Sequence, residues 1–143
     1  GVGVPDVRFF LSEKMNGLGG KLTSVISPKA DIGSFNTVIG KGASIMTHTV
    51  IENDVCIGDG CLVNLNCAIC HDTEIGKFTE LAPNAHVLGA CQIGKFSFIG
   101  AGAVVLPKIS IGNHATIGAG CVVTKDVADG ETVAGVPGKS LKK

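Results

Sequence analysis

The chain of 143 residues has 12 Lys and Arg against 12 Asp and Glu, and it contains 21 glycines with no Trp or Tyr. Its zero formal charge offers no basic field that would attract nucleic acid. Its apolar runs are only a few residues long and its N-terminus lacks a signal-peptide pattern, so no membrane span is predicted and a cytoplasmic protein is expected. The composition predicts one domain with a core of aliphatic and very small side chains.

The first 24 residues lie outside any repeat. Residues 1–5 predict the end of a strand and a turn, and residues 7–15 predict a short helix closed by Asn16 and Gly17. A segment this short cannot bury its own apolar face. We therefore expect residues 1–24 to be the remnant or linker of an upstream domain. The alternative is a simple N-terminal cap on the domain that follows.

A six-residue repeat follows this segment. Every sixth residue of the range 39–123 is Ile, Leu or Val, and the residue four positions after each of these is nearly always small. Such a period predicts a solenoid of stacked coils rather than an ordinary globular sheet. Four cysteines fall in the small-residue column, namely Cys61, Cys67, Cys91 and Cys121. They are predicted to be core residues, and without a secretory signal all six cysteines are expected to be reduced.

A longer period of eighteen residues overlies the six-residue repeat. The pair Ile-Gly recurs at positions 39, 57, 75, 93 and 111. Eighteen residues therefore make one coil of three short strands, and successive coils pair at strand spacing, roughly 4.8 Å. The glycine predicts a corner where the backbone needs freedom. One extra residue between Ile32 and Ile39 predicts a small bulge or an irregular first coil.

The repeat sets the domain boundaries. We predict a parallel β-helix over residues 25–128 and a C-terminal tail over residues 129–143.

His71 is the best candidate for a catalytic group. An imidazole with a pKa near 6.5 can accept a proton at neutral pH, and the adjacent Asp72 can stabilise the imidazolium that forms. Gly89 lies eighteen residues after His71, so the period places a glycine directly over the base. The Gly89 N–H could then face an incoming thioester. Acyl transfer needs both a base and a donor that stabilises the oxyanion, and these two residues would supply them. The alternative is a polar pair on a solvated corner.

Cys70 precedes His71 and suggests a Cys–His nucleophile as another possibility. Adjacent residues in a strand point to opposite faces, so the two side chains are expected to diverge. Direct transfer without an acyl-enzyme is therefore favoured.

The hexapeptide repeat resembles that of the left-handed β-helix acyltransferases. Within it, Asn64, His71 and Asp72, followed by Ile-Gly-Lys-Phe at 75–78 and a coil of small residues, resemble the sialic-acid O-acetyltransferase and sugar-nucleotide N-acetyltransferase family of bacterial glycan pathways. The resemblance implies an all-β, left-handed parallel β-helix that forms a homotrimer with active sites between neighbouring prisms. It also implies an upstream Rossmann-like domain that binds the acceptor sugar.

The resemblance further implies a reaction and a set of roles. Acetyl-CoA is the expected donor, no metal is expected, and the acceptor is an amino or hydroxyl group of a sugar or sugar nucleotide. The histidine–aspartate pair becomes the general base and its supporting carboxylate, and Asn64 lines the acceptor site. The Gly89 amide faces the acetyl carbonyl, while Ala101 and Ala119, eighteen residues apart, offer backbone contacts to coenzyme A.

Two positions near the expected coenzyme differ in how well they fit the family. Many members have a histidine where this chain has Glu80, and an ionised carboxylate offers no donor to a thioester. Either that contact is lost or His86 replaces it. His86 is expected to be a partly buried corner residue, because it shares a column with Val50, Ala68, Val104 and Val122.

Lys139 lies in a Gly-Val-Pro-Gly-Lys ending that resembles a segment near the adenine nucleotide of coenzyme A. The alternative is a solvated basic tail.

Two other functions occur on a β-helix of this kind. A γ-carbonic-anhydrase-like zinc enzyme would need three converging imidazoles, yet no two histidines are separated by a multiple of eighteen. A non-catalytic β-helix scaffold is the other rival. The sequence leaves open the identity of the acceptor and whether the product is an N-acetyl or an O-acetyl group.

Overall fold

The computed structural model describes residues 2–141 and has one helix, α1 (Pro5–Gly17), ahead of a stack of very short strands. The strands wind into a left-handed parallel β-helix of about 6 turns with about 18 residues in each, which confirms the predicted fold class. The coils form a prism with three flat faces. We call them faces A, B and C in chain order, and the corners between them the AB, BC and CA corners.

Each face is one sheet with strands from successive coils. Face A stacks β1 (Val25–Ile26), β4 (Ser44–Ile45), β7 (Leu62–Val63), β10 (Glu80–Leu81), β13 (Phe98–Ile99), β16 (Thr116–Ile117), β18 (Thr132–Ala134) and β19 (Lys139–Ser140). Face B stacks β2 (Asp31–Ile32), β5 (Val50–Ile51), β8 (Ala68–Ile69), β11 (His86–Val87), β14 (Val104–Val105) and β17 (Val122–Val123). Face C stacks β3 (Val38–Ile39), β6 (Cys56–Ile57), β9 (Glu74–Ile75), β12 (Gln92–Ile93) and β15 (Ser110–Ile111).

The core of the prism consists of the two columns that the repeat predicts. Most of the aliphatic residues at every sixth position are buried, and the four cysteines of the small-residue column are at most 1% exposed. Because each coil repeats the same inward pattern, side chains of one type stack along the prism axis. The prediction that Cys61, Cys67, Cys91 and Cys121 are core residues is confirmed.

The irregular first coil is also confirmed. Ile32 pairs with Ile51, nineteen residues further on, whereas Ile39 pairs with Ile57, eighteen residues further on. The extra residue is accommodated between β2 and β3, where Asn36 adopts a left-handed conformation with φ of 51°.

The C-terminal segment contributes a further strand to face A. Ile117 pairs with Val133, only sixteen residues further on, and β19 then returns antiparallel to β18. The repeat of eighteen residues cannot locate this strand because the last coil is two residues shorter.

The corner glycines are required for a different reason from the one expected. A Cβ on Gly76 would lie 2.4 Å from the backbone nitrogen of Lys95 in the next coil, so the close approach of coils excludes a side chain. The left-handed backbone occurs instead two residues later, as at Phe78 with φ of 56°. The equivalent residues on the other two corners, including Asp72 (φ 57°) and Asn84 (φ 60°), share this conformation.

Helix α1 packs over the CA corner. It begins at Pro5, a favourable first helical residue, and has Asp6 in its first turn and Lys14 in its last, which complements the helix dipole. Phe9 contacts Phe78 and Phe96 edge to face, with ring centroids 5.2 and 5.5 Å away. Among residues 2–141, no helix combines the length and hydropathy that crossing a bilayer requires.

Candidate active site

His71 and Asp72 lie in the turn after β8, at the BC corner. Nδ1 of His71 is 2.8 Å from Oδ2 of Asp72, and both side chains are 64% exposed. This hydrogen bond raises the pKa of His71, and the nearby carboxylates of Glu52 and Asp54 raise it further. The contact holds the proton on Nδ1 and leaves the lone pair on Nε2, which is the arrangement a general base requires.

Gly89 lies one coil above His71, as the period predicts. A Cβ on Gly89 would be 2.8 Å from both Cε1 and Nε2 of the imidazole, so only glycine leaves room for the ring in this position. Within residues 2–141, no acceptor receives the Gly89 N–H. The Nε2 of His71, unprotonated when Nδ1 carries the proton, therefore lies next to a residue with an unused backbone N–H.

Glu52 is a neighbour of this site that sequence reasoning missed. One of its carboxylate oxygens accepts a hydrogen bond of 2.7 Å from the backbone N–H of His71. Glu52 precedes His71 by nineteen residues, so it lies in the adjacent column of the previous coil. The signal was present in the repeat, as an acidic residue in a neighbouring column.

The other predicted site residues lie at a different corner of the same prism. Asn64 follows β7 at the AB corner, and Ala101 and Ala119 follow β13 and β16 at that corner, stacked one above the other. The structure thus brings His71, Asp72 and Gly89 together. Within one chain it does not bring the three AB-corner residues to them.

Glu80 forms a charge pair that the sequence did not reveal. Arg8 of α1 places Nη1 3.3 Å from Oε2 of Glu80, and the side chains are 15% and 9% exposed. Burial raises the pKa of the Glu80 carboxyl, while Arg8 and Asn64 act in the opposite direction. From the sequence we expected that the coenzyme contact at position 80 is lost or that His86 supplies it. The ion pair with Arg8 could not be predicted, because Arg8 lies upstream of the repeat and has no register with it.

The remaining histidines are separate from the BC-corner group. His86 points outward from face B between Ala68 and Val104 and is exposed, so its description as a partly buried corner residue was wrong for a single chain. The ring of His114 stacks on Phe96 at the CA corner, with centroids 5.0 Å apart. His48 occupies a left-handed turn position.

Cys70 makes no hydrogen bond to His71. Burial raises the pKa of the Cys70 thiol, and Glu52 raises it further, so little thiolate is available for nucleophilic attack. Lys139 is exposed on β19, at the C-terminal end of face A. Among the described residues 2–141, no group of three or more His, Cys, Asp or Glu could hold a metal ion.

Comparisons with known proteins relate the chain to sugar acetyltransferases. A family model described as "Bacterial transferase hexapeptide (six repeats)" matches residues 90–125. PerB from Caulobacter crescentus, solved in complex with CoA and GDP-perosamine, is 31% identical, with a TM-score of 0.96 over 99% of this chain and 68% of that one. The acetyltransferase domain of PglB from Neisseria gonorrhoeae is 36% identical, with a TM-score of 0.94 over 98% of this chain and 68% of that one.

The chain belongs to the hexapeptide-repeat sugar acetyltransferases. WeeI from Acinetobacter baumannii, a further member of the family, is 28% identical, with a TM-score of 0.81 over 98% of this chain and 68% of that one. The PglB domain has also been solved in complex with acetyl coenzyme A. No curated protein sequence matches the chain.

Proposed function

We propose that this protein transfers an acetyl group from acetyl-CoA to an amino or hydroxyl group of a sugar nucleotide. Its place among the sugar acetyltransferases supports the reaction class, since PerB was solved with CoA and GDP-perosamine. The observation that carries the proposal is the juxtaposition of the His71 Nε2 with Gly89, where a Cβ would lie 2.8 Å from the ring. Acetyl-CoA is a cytoplasmic metabolite, so we propose that the protein acts there.

In the proposed mechanism His71 acts as a general base. Its Nε2 removes a proton from the acceptor amine or hydroxyl as that group attacks the thioester carbonyl carbon. The Gly89 N–H stabilises the negative charge that develops on the carbonyl oxygen. When the tetrahedral intermediate collapses, the C–S bond breaks and the imidazolium returns its proton to the departing thiolate. Asp72 stabilises the imidazolium between these two proton transfers.

We propose that a homotrimer completes the active site. Face B carries the outward side chains Val50, Ala68, Val104 and Val122 around His86, and no part of residues 2–141 covers it. Face C carries the polar outward side chains Glu74, Gln92 and Ser110 beside Val38 and Cys56, and α1 packs over the CA corner. Packing of face B against second and third copies would place the BC corner of one copy beside the AB corner of its neighbour. That arrangement would bring Asn64, Ala101 and Ala119 to His71, Asp72 and Gly89.

The proposal is tested by following acetyl-CoA consumption by the purified protein with a panel of amino-sugar nucleotides and sialic acid. We expect turnover with at least one acceptor, and a loss of about 10²- to 10⁴-fold in kcat when His71 is replaced by Ala. His114→Asn is the matched control. It removes a histidine from the CA corner, where the left-handed backbone (φ 53°) suits Asn, and it should retain activity.

Two results would contradict the proposal. The first is an absence of turnover on every acceptor by wild-type protein that still binds CoA. The second is full acetyl transfer by the His71→Ala variant, which would instead support the scaffold interpretation.

A further inference from the structure

The Glu80 carboxylate is enclosed at the junction between α1 and face A. Arg8 contacts it through Nη1, and the same guanidinium donates through Nη2 to the carbonyl oxygen of Phe78 at 2.6 Å. A Cβ added to Gly3 would lie 3.2 Å from both carboxylate oxygens. The charge is therefore held in one place by the segment that leads into the helix.

The free side of this carboxylate contacts Asn64. Nδ2 of Asn64 donates to Oε1 of Glu80 at 3.4 Å and to the carbonyl oxygen of Leu81 at 3.0 Å. An amide nitrogen has two hydrogens, so both are used. Rotating the amide by half a turn would place Oδ1 against these two acceptors, and the observed orientation is therefore strongly preferred. Within residues 2–141, no donor reaches Oδ1.

We propose that Arg8 and Glu80 are positioning residues that fix the Asn64 amide so that its Oδ1 accepts a hydrogen bond from an N–H or O–H group of the bound ligand. This inference rests on the proposed function, in which the trimer brings Asn64 to the active site. Two sources supply such a donor: the amino or hydroxyl group of the acceptor, and an amide N–H in the pantetheine arm of acetyl-CoA. A donor side chain at position 80 would favour the opposite orientation of the amide.

A double-mutant cycle on Glu80 and Asn64 tests the inference. Glu80→Gln preserves the size of the side chain but adds an N–H that can donate to Oδ1, so it releases the amide from one orientation. We expect Glu80→Gln to lower kcat/KM about tenfold in the wild-type background. In the Asn64→Ala background we expect a loss of less than about twofold, because a residue that acts only through Asn64 has no effect once that amide is gone. Equal losses in the two backgrounds, or no loss in the wild type, would overturn the proposal.

The distribution of the loss between the two substrates identifies the donor. An increase in KM for the acceptor with unchanged KM for acetyl-CoA assigns the donor to the acceptor. The reverse pattern assigns it to the pantetheine arm. Asp59→Asn is the control. It breaks another ion pair, in which Asp59 lies 3.0 Å from Lys77, and it should leave both KM values unchanged.

A spectroscopic measurement separates failure of this inference from failure of the proposed function. The side-chain amide resonances of Asn64 in a ¹⁵N–¹H correlation spectrum report its hydrogen bonds without any turnover. We expect both to shift in a Glu80→Leu variant whose circular dichroism matches that of the wild type. Unchanged Asn64 resonances in that variant would refute the positioning role, even if the wild type proves inactive on every acceptor tested.

Discussion

The backbone at Asp72 restricts which side chains can occupy that position. Asp72 has φ of 57°, a conformation in which Asp and Asn are among the better-tolerated residues. The requirement for this backbone would by itself account for an Asp or Asn at position 72. Its hydrogen bond to His71 is a further contact that the turn does not need, and in the proposed mechanism it supports the base.

Replacing Asp72 by Asn separates the two roles, because the backbone preference is retained and the charge is lost. Asp72 raises the pKa of His71. Since the base acts in its unprotonated form, activity rises as pH increases through that pKa, and a lower pKa moves the rise to lower pH. We therefore expect the acidic limb of the kcat/KM–pH profile to shift to lower pH in Asp72→Asn, with a maximal rate reduced about tenfold. An acidic limb at the wild-type pH would show that Asp72 does not support the base.

At the scale of the element, the turn between strands repeats with two separate backbone requirements. The first turn residue on many corners must lack a side chain because the next coil is too close, and a later one must adopt the left-handed conformation. The recurring Ile-Gly pair indicated the requirement for a residue without a side chain, although we attributed it to backbone freedom rather than to the close approach of coils. No sequence pattern indicated the left-handed position, because Asn, Asp, Phe, His and Gly all occupy it.

These two requirements predict different responses to substitution. Gly76→Ala forces a Cβ to within 2.4 Å of the Lys95 backbone nitrogen, and the coils must separate locally. We expect it to lower the free energy of unfolding by about 2 kcal/mol or more. Gly130→Asn is the matched control, because Gly130 has φ of 67° and nothing within 4 Å of a Cβ, so its cost should stay within about 0.5 kcal/mol. Chemical denaturation of both variants measures the difference, and equal destabilisation would contradict the close-approach argument.

At the scale of the whole molecule, the outward side chains give each face a different character. Val104 on face B lies between His86 and Val122, whereas Gln92 on face C lies between Glu74 and Ser110. An uncovered aliphatic face is the feature on which the proposed trimer depends.

Placing a charge on face B tests that trimer. Val104→Lys would bury three ammonium groups near one another in the assembly, so we expect sedimentation analysis to show monomers and acetyl transfer to be lost. Gln92→Lys makes the same change on face C and should remain trimeric and active. A wild-type protein that sediments as a monomer, or a Val104→Lys variant that sediments as the wild type does, would contradict the proposal.

The sequence predicted the regular part of the molecule well because one short rule is repeated in it many times. Counting along the repeat predicts the period, the inward columns, the extra residue before Ile39 and the position of Gly89 over His71. Features outside the register of the repeat could not be predicted in this way. Arg8 precedes the repeat, and β18 follows a shortened coil. The repeat also predicts that Asn64 and His71 lie at different corners, because they are seven residues apart and one third of a coil is six residues.

The shortened last coil and the reversed strand β19 have a consequence for polymerisation. Identical stacked coils would leave at their end an open strand edge on which another chain could continue the winding. Here β19 runs antiparallel along β18 on face A. On face B the Val122 N–H donates a hydrogen bond to the carbonyl oxygen of Gly135, and the Gly138 N–H donates to the carbonyl oxygen of Val122. These segments occupy the edge groups of β17 and β18, so we expect the end of the prism to resist end-to-end extension into filaments.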